Sequence, residues 1–361
     1  MRLTLVTDAW CPQVNGVVRT LERTVRQVEL LGHQVDVIHP GLYPNIPLPL
    51  YPEIRLAVIC PGLGRRIELS DHVHIATEGP LGLYARNYCM ARGRRFTTAY
   101  HTHFPDYLQR YLGLPAAWTY AYMRWFHRRA SRIMVATSSL ERELASWGFR
   151  RMARWSRGVD MKLFHPGNAS ERQPLALYVG RVAYEKNIEA FLQVKLPHGF
   201  RARVVGDGPA LAELKLRHPQ VEFTGALSGE ALAAEYRRAS VFVFPSRTDT
   251  FGLVLLESLA SGVPVAAYPV AGPLDVLEGA PEGVGFLDED LGTAISQAVD
   301  RGNSQACCDF VSRYTWEKST KQFLENLVPR LGSGEPEKNC PTHRNDRKSW
   351  RPRQASLLLA R

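Results

Sequence analysis

The sequence predicts an α/β protein of two doubly wound parallel-sheet domains in tandem, facing each other across a cleft. Three observations predict it. At 361 residues the chain is too long for one ordinary core. Short apolar, β-branched runs alternate with helix-forming segments, the pattern of a parallel sheet covered by helices. Near the middle that alternation breaks into a polar, proline-containing stretch and then starts again.

In the first series the strand candidates are Leu3–Thr7, Gln34–His39, Ile54–Ile59, His72–Ala76, Phe96–Tyr100 and Ile133–Thr137. An amphipathic helix over Val17–Leu31 ends at Gly32, as a helix C-terminus should. The break runs from Trp155-Ser-Arg-Gly-Val-Asp160 through His165 to Pro174 and reads as an interdomain linker. The second series has strand candidates Leu175–Val179, Ala202–Val205, Val221–Thr224, Val241–Phe244 and Pro264–Ala267. Residues 1–165 and 166–315 are therefore expected to be the two domains, followed by a helix to residue 331. The tail over 332–361 is basic and rich in Gly and Pro, a composition that favours disorder.

Apolar residues make up 45% of the chain, and no run reaches the ~20 apolar residues that cross a bilayer. A strand candidate begins at the second residue, so no secretory leader is expected. The six cysteines are scattered, with no zinc-type spacing, which suits a reducing cytoplasm and argues against a structural metal. The net charge of +10 is concentrated: between Arg86 and Arg157 stand 14 Arg and no Lys against three acids, Asp106, Glu141 and Glu143. Tyr107, Tyr111, Trp118, Tyr120, Tyr122, Trp125, Phe126 and Trp147 are interleaved with them. Basic residues mixed with amphipathic aromatics suit an anionic membrane surface. A solvated arginine-rich face is the plainer alternative, and nucleic acid is not expected without a recognition motif.

The chemistry concentrates in loops that follow strands. Phe244-Pro-Ser-Arg-Thr-Asp-Thr-Phe-Gly-Leu-Val-Leu-Leu-Glu257 places Asp249 and Thr250 at a helix entrance and Glu257 two turns further on. Free N–H groups and the helix dipole at such an entrance hold anionic ligand groups. Two carboxylates so spaced can grip two hydroxyl-bearing parts of one ligand, or can be only a cap and a surface residue. Asn15-Gly16 opens the first helix without forming a dinucleotide fingerprint. Tyr100-His-Thr-His103 puts His101 and His103 at a strand end, where an imidazole can bond a sugar or polarise a phosphate. Gly180-Arg-Val-Ala-Tyr-Glu-Lys186 supplies a guanidinium, Arg181, and an ammonium, Lys186, for a leaving group gaining negative charge. Gly206-Asp207-Gly208-Pro209 is a tight turn that would let the backbone approach a ligand.

Taken together these loops resemble, in order and spacing, the GT-B-fold retaining glycosyltransferases of family 4, over nearly the whole chain to about residue 330. The branch they resemble contains sulfoquinovosyl-diacylglycerol synthases and bacterial glycolipid α-mannosyl- and α-glucuronosyltransferases. Gln13-Val-Asn-Gly-Val-Val-Arg-Thr20, His74-Ile-Ala-Thr-Glu-Gly-Pro80 and Arg157-Gly-Val-Asp160 carry that finer likeness. The resemblance implies an acceptor-binding first domain and a second domain that binds a nucleotide diphosphate-sugar. It implies that Asn15 and Gly16 lie by the donor phosphates and His101 by the reacting sugar, with Arg181 and Lys186 on the diphosphate. Glu257 would take the ribose hydroxyls, and the backbone of Gly180, Gly206–Gly208 and Thr250-Phe251-Gly252 would line the donor. Asp249 stands where the family usually has Glu, and its shorter reach leaves the donor open.

The resemblance further implies no metal and no cofactor. Asp288-Glu-Asp290 matches a metal-binding triplet in form, but it precedes an amphipathic helix at Leu291–Val299 and reads as a cap. The expected activity is transfer of a hexose, with retention, to a lipid such as diacylglycerol, by a peripheral protein at the inner face of the cell membrane. A soluble saccharide acceptor and a nucleotide-sugar epimerase are the alternatives.

Overall fold

A computed structural model describes residues 1–13, 15–48, 51–101, 115–249 and 251–330. The expectations placed on His103, Asp106, Tyr107, Tyr111, Thr250 and the basic tail lie outside the described residues.

Two parallel sheets form the frame. The first contains β1 (Arg2–Val6), β2 (Gln34–Ile38), β5 (His72–Ile75), β6 (Thr97–Tyr100), β7 (Arg132–Val135) and β8 (Met152–Arg154), in the order β2-β1-β5-β6-β7-β8. The second contains β9 (Leu175–Val179), β10 (Arg201–Val205), β11 (Glu222–Gly225), β12 (Val241–Phe244), β13 (Val265–Ala267) and β14 (Gly285–Leu287), in the order β11-β10-β9-β12-β13-β14. Each order reverses direction once, between β1 and β5 and between β9 and β12. In open α/β sheets, ligands bind beyond the strand C-terminal ends at that switch.

The strands read as continuous apolar runs because both faces are buried. Leu175, Leu177 and Val179 enter one core of the second sheet, while Ala176 and Tyr178 enter the core on its opposite face. On the first sheet Leu3 and Leu5 face one core and Val6 the other. Side chains of period two therefore serve two helical layers at once.

The helices are α1 (Gly16–Leu30), α2 (Leu63–Glu68), α3 (Pro80–Ala91), α4 (Ala116–His127), α5 (Ser138–Ser146), α6 (Ile188–Leu192), α7 (Leu211–Arg217), α8 (Gly229–Arg238), α9 (Leu253–Ala260), α10 (Ala271–Val276), α11 (Leu291–Arg301), α12 (Ser304–Val311) and α13 (Trp316–Asn326). The chain crosses back at its end. Phe323 and Leu327, on and just past α13, bury among Leu3, Leu5, Leu21 and Trp155 of the first half. Asp290 caps α11 through the Gly292 N–H at 2.9 Å, so the acidic triplet does serve as a helix start.

Three elements differ from the sequence expectation. The strand read at Ile54–Ile59 is β4 (Tyr51–Ala57), which pairs antiparallel with β3 (Asn45–Leu48) outside the main sheet. Pro47 and Pro52 lie in these strands, and a residue without an N–H is barred from a sheet interior. The short edge strands β8 and β14 were not expected; Arg154 and Gly285 interrupt their apolar signal. The segment read as the interdomain linker is packed along its length: Trp155, Val159 and Phe164 are buried and Val159 bridges to Thr315.

Candidate active site

Asn15 is the N-cap of α1. Its Oδ1 accepts from the Val17 and Val18 N–H groups, both at 3.0 Å, which sets Gly16 as the first helical residue. A Cβ placed on Gly16 would sit 4.0 Å from Cδ1 of Leu253, the first residue of α9. The N-termini of α1 and α9, one from each half of the chain, thus meet. Gly252 is the N-cap of α9 in the left-handed region, φ 84°, and as a glycine it has no side chain to bond the helix N–H groups. The N-cap position thus falls on Gly252, three residues after Asp249, where one of the two sequence readings made Asp249 the cap.

Asp249 instead pairs with Lys186, whose Nζ donates to Oδ1 at 2.5 Å. Lys186 ends a 3-10 turn (Tyr184–Lys186), and Asn187 follows it at φ 54°. The Asn187 side-chain amide donates to the Pro245 carbonyl at 3.2 Å, so the loops after β9 and β12 are laced together at the switch point. Arg181, half-buried, leaves the same β9 end.

The glycines beside it answer first to packing. Gly206 has φ 148°, and a Cβ there would stand 1.8 Å from the Gly180 carbonyl oxygen. At Gly208 (φ 155°) a Cβ would lie 2.3 Å from the Val182 carbonyl oxygen. Asp207 is exposed, and its carbonyl accepts from the Val182 N–H at 2.8 Å. The loops after β9 and β10 are thus pressed backbone to backbone. Phe251 is 7% exposed and packs edge-on against Tyr314, which leaves only its backbone for a ligand.

Glu257, in the second turn of α9, is 7% exposed. It accepts from the Tyr236 hydroxyl at 3.0 Å and pairs with Arg19 Nη1 at 3.2 Å. Burial raises its pKa, opposed chiefly by the Arg19 charge. Sequence reasoning assigned no role to Arg19, which the structure pairs with Glu257. A cation in the opening turns of a helix opposes the dipole and signals a partner elsewhere.

His101 follows β6 and is held from the first-sheet side. Arg157 Nη2 lies 3.2 Å from its Nδ1, and the Trp155 ring stands edge-on with centroids 5.6 Å apart. Burial first, then the Arg157 charge, drives its pKa well below the usual imidazole range, so it is neutral. The strand ends around it are scaffolded. Buried Asp8 accepts from the Leu81 N–H at 3.0 Å and Thr77 Oγ1 at 2.9 Å, closing the start of α3. Glu78 Oε1 meets His127 Nε2 at 3.0 Å. Among the described residues, no group of three His, Cys, Asp or Glu is placed to hold a metal ion.

Two helix N-termini, two cations and two carboxylates at the switch points of the two sheets are the groups that suit a diphosphate flanked by hydroxyl-bearing groups. Comparison with known proteins shows the family. Residues 14–163 match the model described as Glycosyltransferase Family 4, and residues 173–301 match that of Glycosyl transferases group 1. The chain is 30% identical to a GDP-mannose-dependent alpha-mannosyltransferase of Mycolicibacterium smegmatis, over 80% of this chain and 85% of that protein. It is 29% identical to the sulfoquinovosyl transferase of Arabidopsis thaliana, over 86% and 70% respectively. Among solved structures, sucrose-phosphate synthase from Thermosynechococcus elongatus superimposes with a TM-score of 0.71 at 19% identity, over 90% of this chain and 97% of that one. The chain belongs to the family 4 glycosyltransferases, and its fold is GT-B.

Proposed function

We propose that the chain moves a hexose from a nucleotide diphosphate-sugar to a hydroxyl of a membrane lipid such as diacylglycerol. The meeting of the α1 and α9 N-termini at Gly16 and Leu253 carries this reading, because two positive dipole ends converge there and Lys186 is tied to Asp249 in the loop that leads into α9. The donor diphosphate would lie there. Lys186 would exchange Asp249 for phosphate oxygens, freeing the Asp249 carboxylate for sugar hydroxyls. Glu257 would exchange Arg19 for the ribose hydroxyls, and His101 would contact the reacting sugar. The backbone of Gly180, Gly206–Gly208 and Phe251-Gly252 would line the donor.

Transfer would proceed with retention and without a metal. The C1–phosphate bond breaks as the acceptor oxygen bonds C1 on the same face, and the acceptor proton passes to the departing phosphate. Arg181 and Lys186 offset the charge that develops. Product NMR showing inversion at C1 would rule this path out.

The lipid acceptor rests on the α4 surface and on a further relative, the alpha-monoglucosyldiacylglycerol synthase of Streptococcus pneumoniae, 26% identical over 74% of this chain and 71% of that protein. Trp118 is 72% exposed, with Tyr122 and Trp125 following at helical spacing. Arg124, Arg128 and Arg129 are exposed beside them. Such a face would seat the protein at the inner surface of the cell membrane. The protein is to be incubated with GDP-mannose, UDP-glucose, UDP-glucuronate or UDP-sulfoquinovose and diacylglycerol liposomes. One donor should yield a glycolipid; nucleotide release without a lipid product would exclude the lipid acceptor. Arg128→Glu/Arg129→Glu should weaken sedimentation with anionic vesicles at low salt, and unchanged sedimentation would remove the membrane face.

A further inference from the structure

Arg157 is buried, 5% exposed, yet among the described residues no carboxylate pairs with it. Its Nη1 donates to the Trp155 carbonyl at 2.6 Å and to the Ser156 carbonyl at 3.3 Å. The guanidinium carbon lies 4.5 Å from the centroid of the Trp155 ring. The remaining arm, Nη2, reaches His101 Nδ1 at 3.2 Å. Removing a guanidinium from water without a counter-charge is costly, so its place calls for a reason beyond packing. Burial lowers its pKa only to about 9, so it stays protonated at neutral pH.

A guanidinium has donors and no acceptor. The nitrogen it faces must therefore offer a lone pair. In a neutral imidazole only one nitrogen carries the proton, and the bond made by one nitrogen decides the state of the other. With Nδ1 accepting, the proton sits on Nε2. We infer that Arg157 is a positioning residue that locks His101 in the neutral Nε2–H tautomer, making it a hydrogen-bond donor toward the donor sugar rather than a proton acceptor. This rests on the reading that His101 contacts the reacting sugar.

The lock follows from three features acting together. The carbonyls of Trp155 and Ser156 and the Trp155 ring fix the guanidinium plane. The same Trp155 ring meets the imidazole edge-on. Trp155 and the guanidinium are buried, and His101 is half-buried against them, which limits the access of water to the contact. A lysine would carry the charge, but it has no planar fork to hold on two carbonyls and an imidazole at once.

The test reads the imidazole itself before it reads activity. Long-range proton–nitrogen correlation spectra of histidine-labelled protein, with His101 assigned by its loss in His101→Asn, should show a protonated Nε2 and an unprotonated Nδ1 from pH 6 to 8. An Nδ1–H form or an imidazolium in that range overturns the inference. Arg157→Met should populate both tautomers and lower kcat by about 100-fold, the scale of a misplaced catalytic contact. Donor KM should change by no more than about 3-fold, as for an interaction gained only in the transition state. Arg157→Lys should retain the Nε2–H form in part and recover part of the rate. If Arg157→Met fails to fold, the wild-type and Arg157→Lys spectra still decide. An Nε2–H tautomer with a His101→Asn enzyme of undiminished rate would instead sink the sugar-contact role while leaving the lock in place.

Discussion

The Arg19–Glu257 pair joins positions 238 residues apart and is the site contact most open to a quantitative test. Consider Glu257→Leu, Arg19→Met and the double variant. At 3.2 Å and an effective dielectric of about 20, the raw attraction is about 5 kcal/mol. Desolvation offsets much of it, because the Glu257 side chain is 10% exposed while that of Arg19 is 34% exposed. A coupling of about 1–2 kcal/mol should remain, within the range for contacting charges. Glu257→Leu alone should cost about 3 kcal/mol, since it also leaves the buried Tyr236 hydroxyl only the Val254 carbonyl at 3.5 Å. Glu257→Gln, which keeps an acceptor for Tyr236, should cost less. Urea unfolding of the four proteins at pH 7.5 gives the coupling directly. Nucleotide binding then separates structure from function. If ribose hydroxyls displace Arg19, Arg19→Met should tighten nucleoside diphosphate binding by about 5- to 30-fold, the same free energy returned. A coupling below about 0.3 kcal/mol, or weaker nucleotide binding by Arg19→Met, would refute the exchange.

Gly206→Ala should destabilise by about 2–4 kcal/mol, because its Cβ would meet the Gly180 carbonyl at 1.8 Å in a left-handed conformation; an unchanged urea midpoint would contradict the backbone-to-backbone contact. Phe323→Ala empties a fully buried site that touches Trp155 and His74, and should cost about 3–5 kcal/mol with a thermal midpoint lower by several degrees. His74 is buried and neutral, with burial pushing its pKa down to about 3, and His101 is depressed as well. The unfolded chain therefore binds the extra protons, so stability should be full above about pH 6.5 and fall by about 1.4 kcal/mol per pH unit per imidazole below it. His74→Gln should reduce that slope in urea unfolding series between pH 7.5 and 5, and a flat wild-type profile would sink the assignment.

Much of this architecture was legible because its strands are central. Leu175–Val179 and Val241–Phe244 are buried on both faces, and such strands announce themselves as unbroken apolar runs. The strand at Met152–Arg154 sits at a sheet edge, half-exposed, and three residues ending in arginine carry no such signature. The start of α1 could be read because an N-cap is local chemistry: Asn15 bonds residues two and three positions away. Partnerships across the fold are different. Nothing in the spacing of Arg19, Tyr236 and Glu257 marks them as one cluster, and the return of α13 to the first sheet depends on the depth of Phe323 in a core assembled elsewhere. The roles of Gly206 and Gly208 lay between these cases. The tight turn was legible, but the carbonyls that forbid a side chain belong to another loop.

Net charge was the least informative quantity, and the composition behind it was more so. A membrane surface asks only for positive charge, which lysine supplies as well as arginine. The stretch from Arg86 to Arg157 uses arginine alone, and the structure gives the reason. Arg86 is buried, donating to the carbonyls of Trp125 and Phe126 while stacking on Trp125. Arg94 donates to the Ser70 carbonyl, Arg132 to the Glu325 carbonyl on α13, and Arg157 to two carbonyls and an imidazole. Each task needs several directed donors or a flat cation, which an ammonium does not offer. Arg86, Arg94 and Arg157 are buried, so the charge left to face a bilayer is smaller than the sequence count. On α4 and its end it comes to Arg124, Arg128 and Arg129, worth about 1 kcal/mol each near an anionic surface. Three such contacts bind only weakly, so exposed Trp118 and Trp125 would have to supply most of the hold. Trp118→Ala should then reduce vesicle binding at high salt, where charge is screened, while the arginine substitutions act mainly at low salt. Equal loss at both salt concentrations from the arginine substitutions would show that their contribution is structural rather than electrostatic.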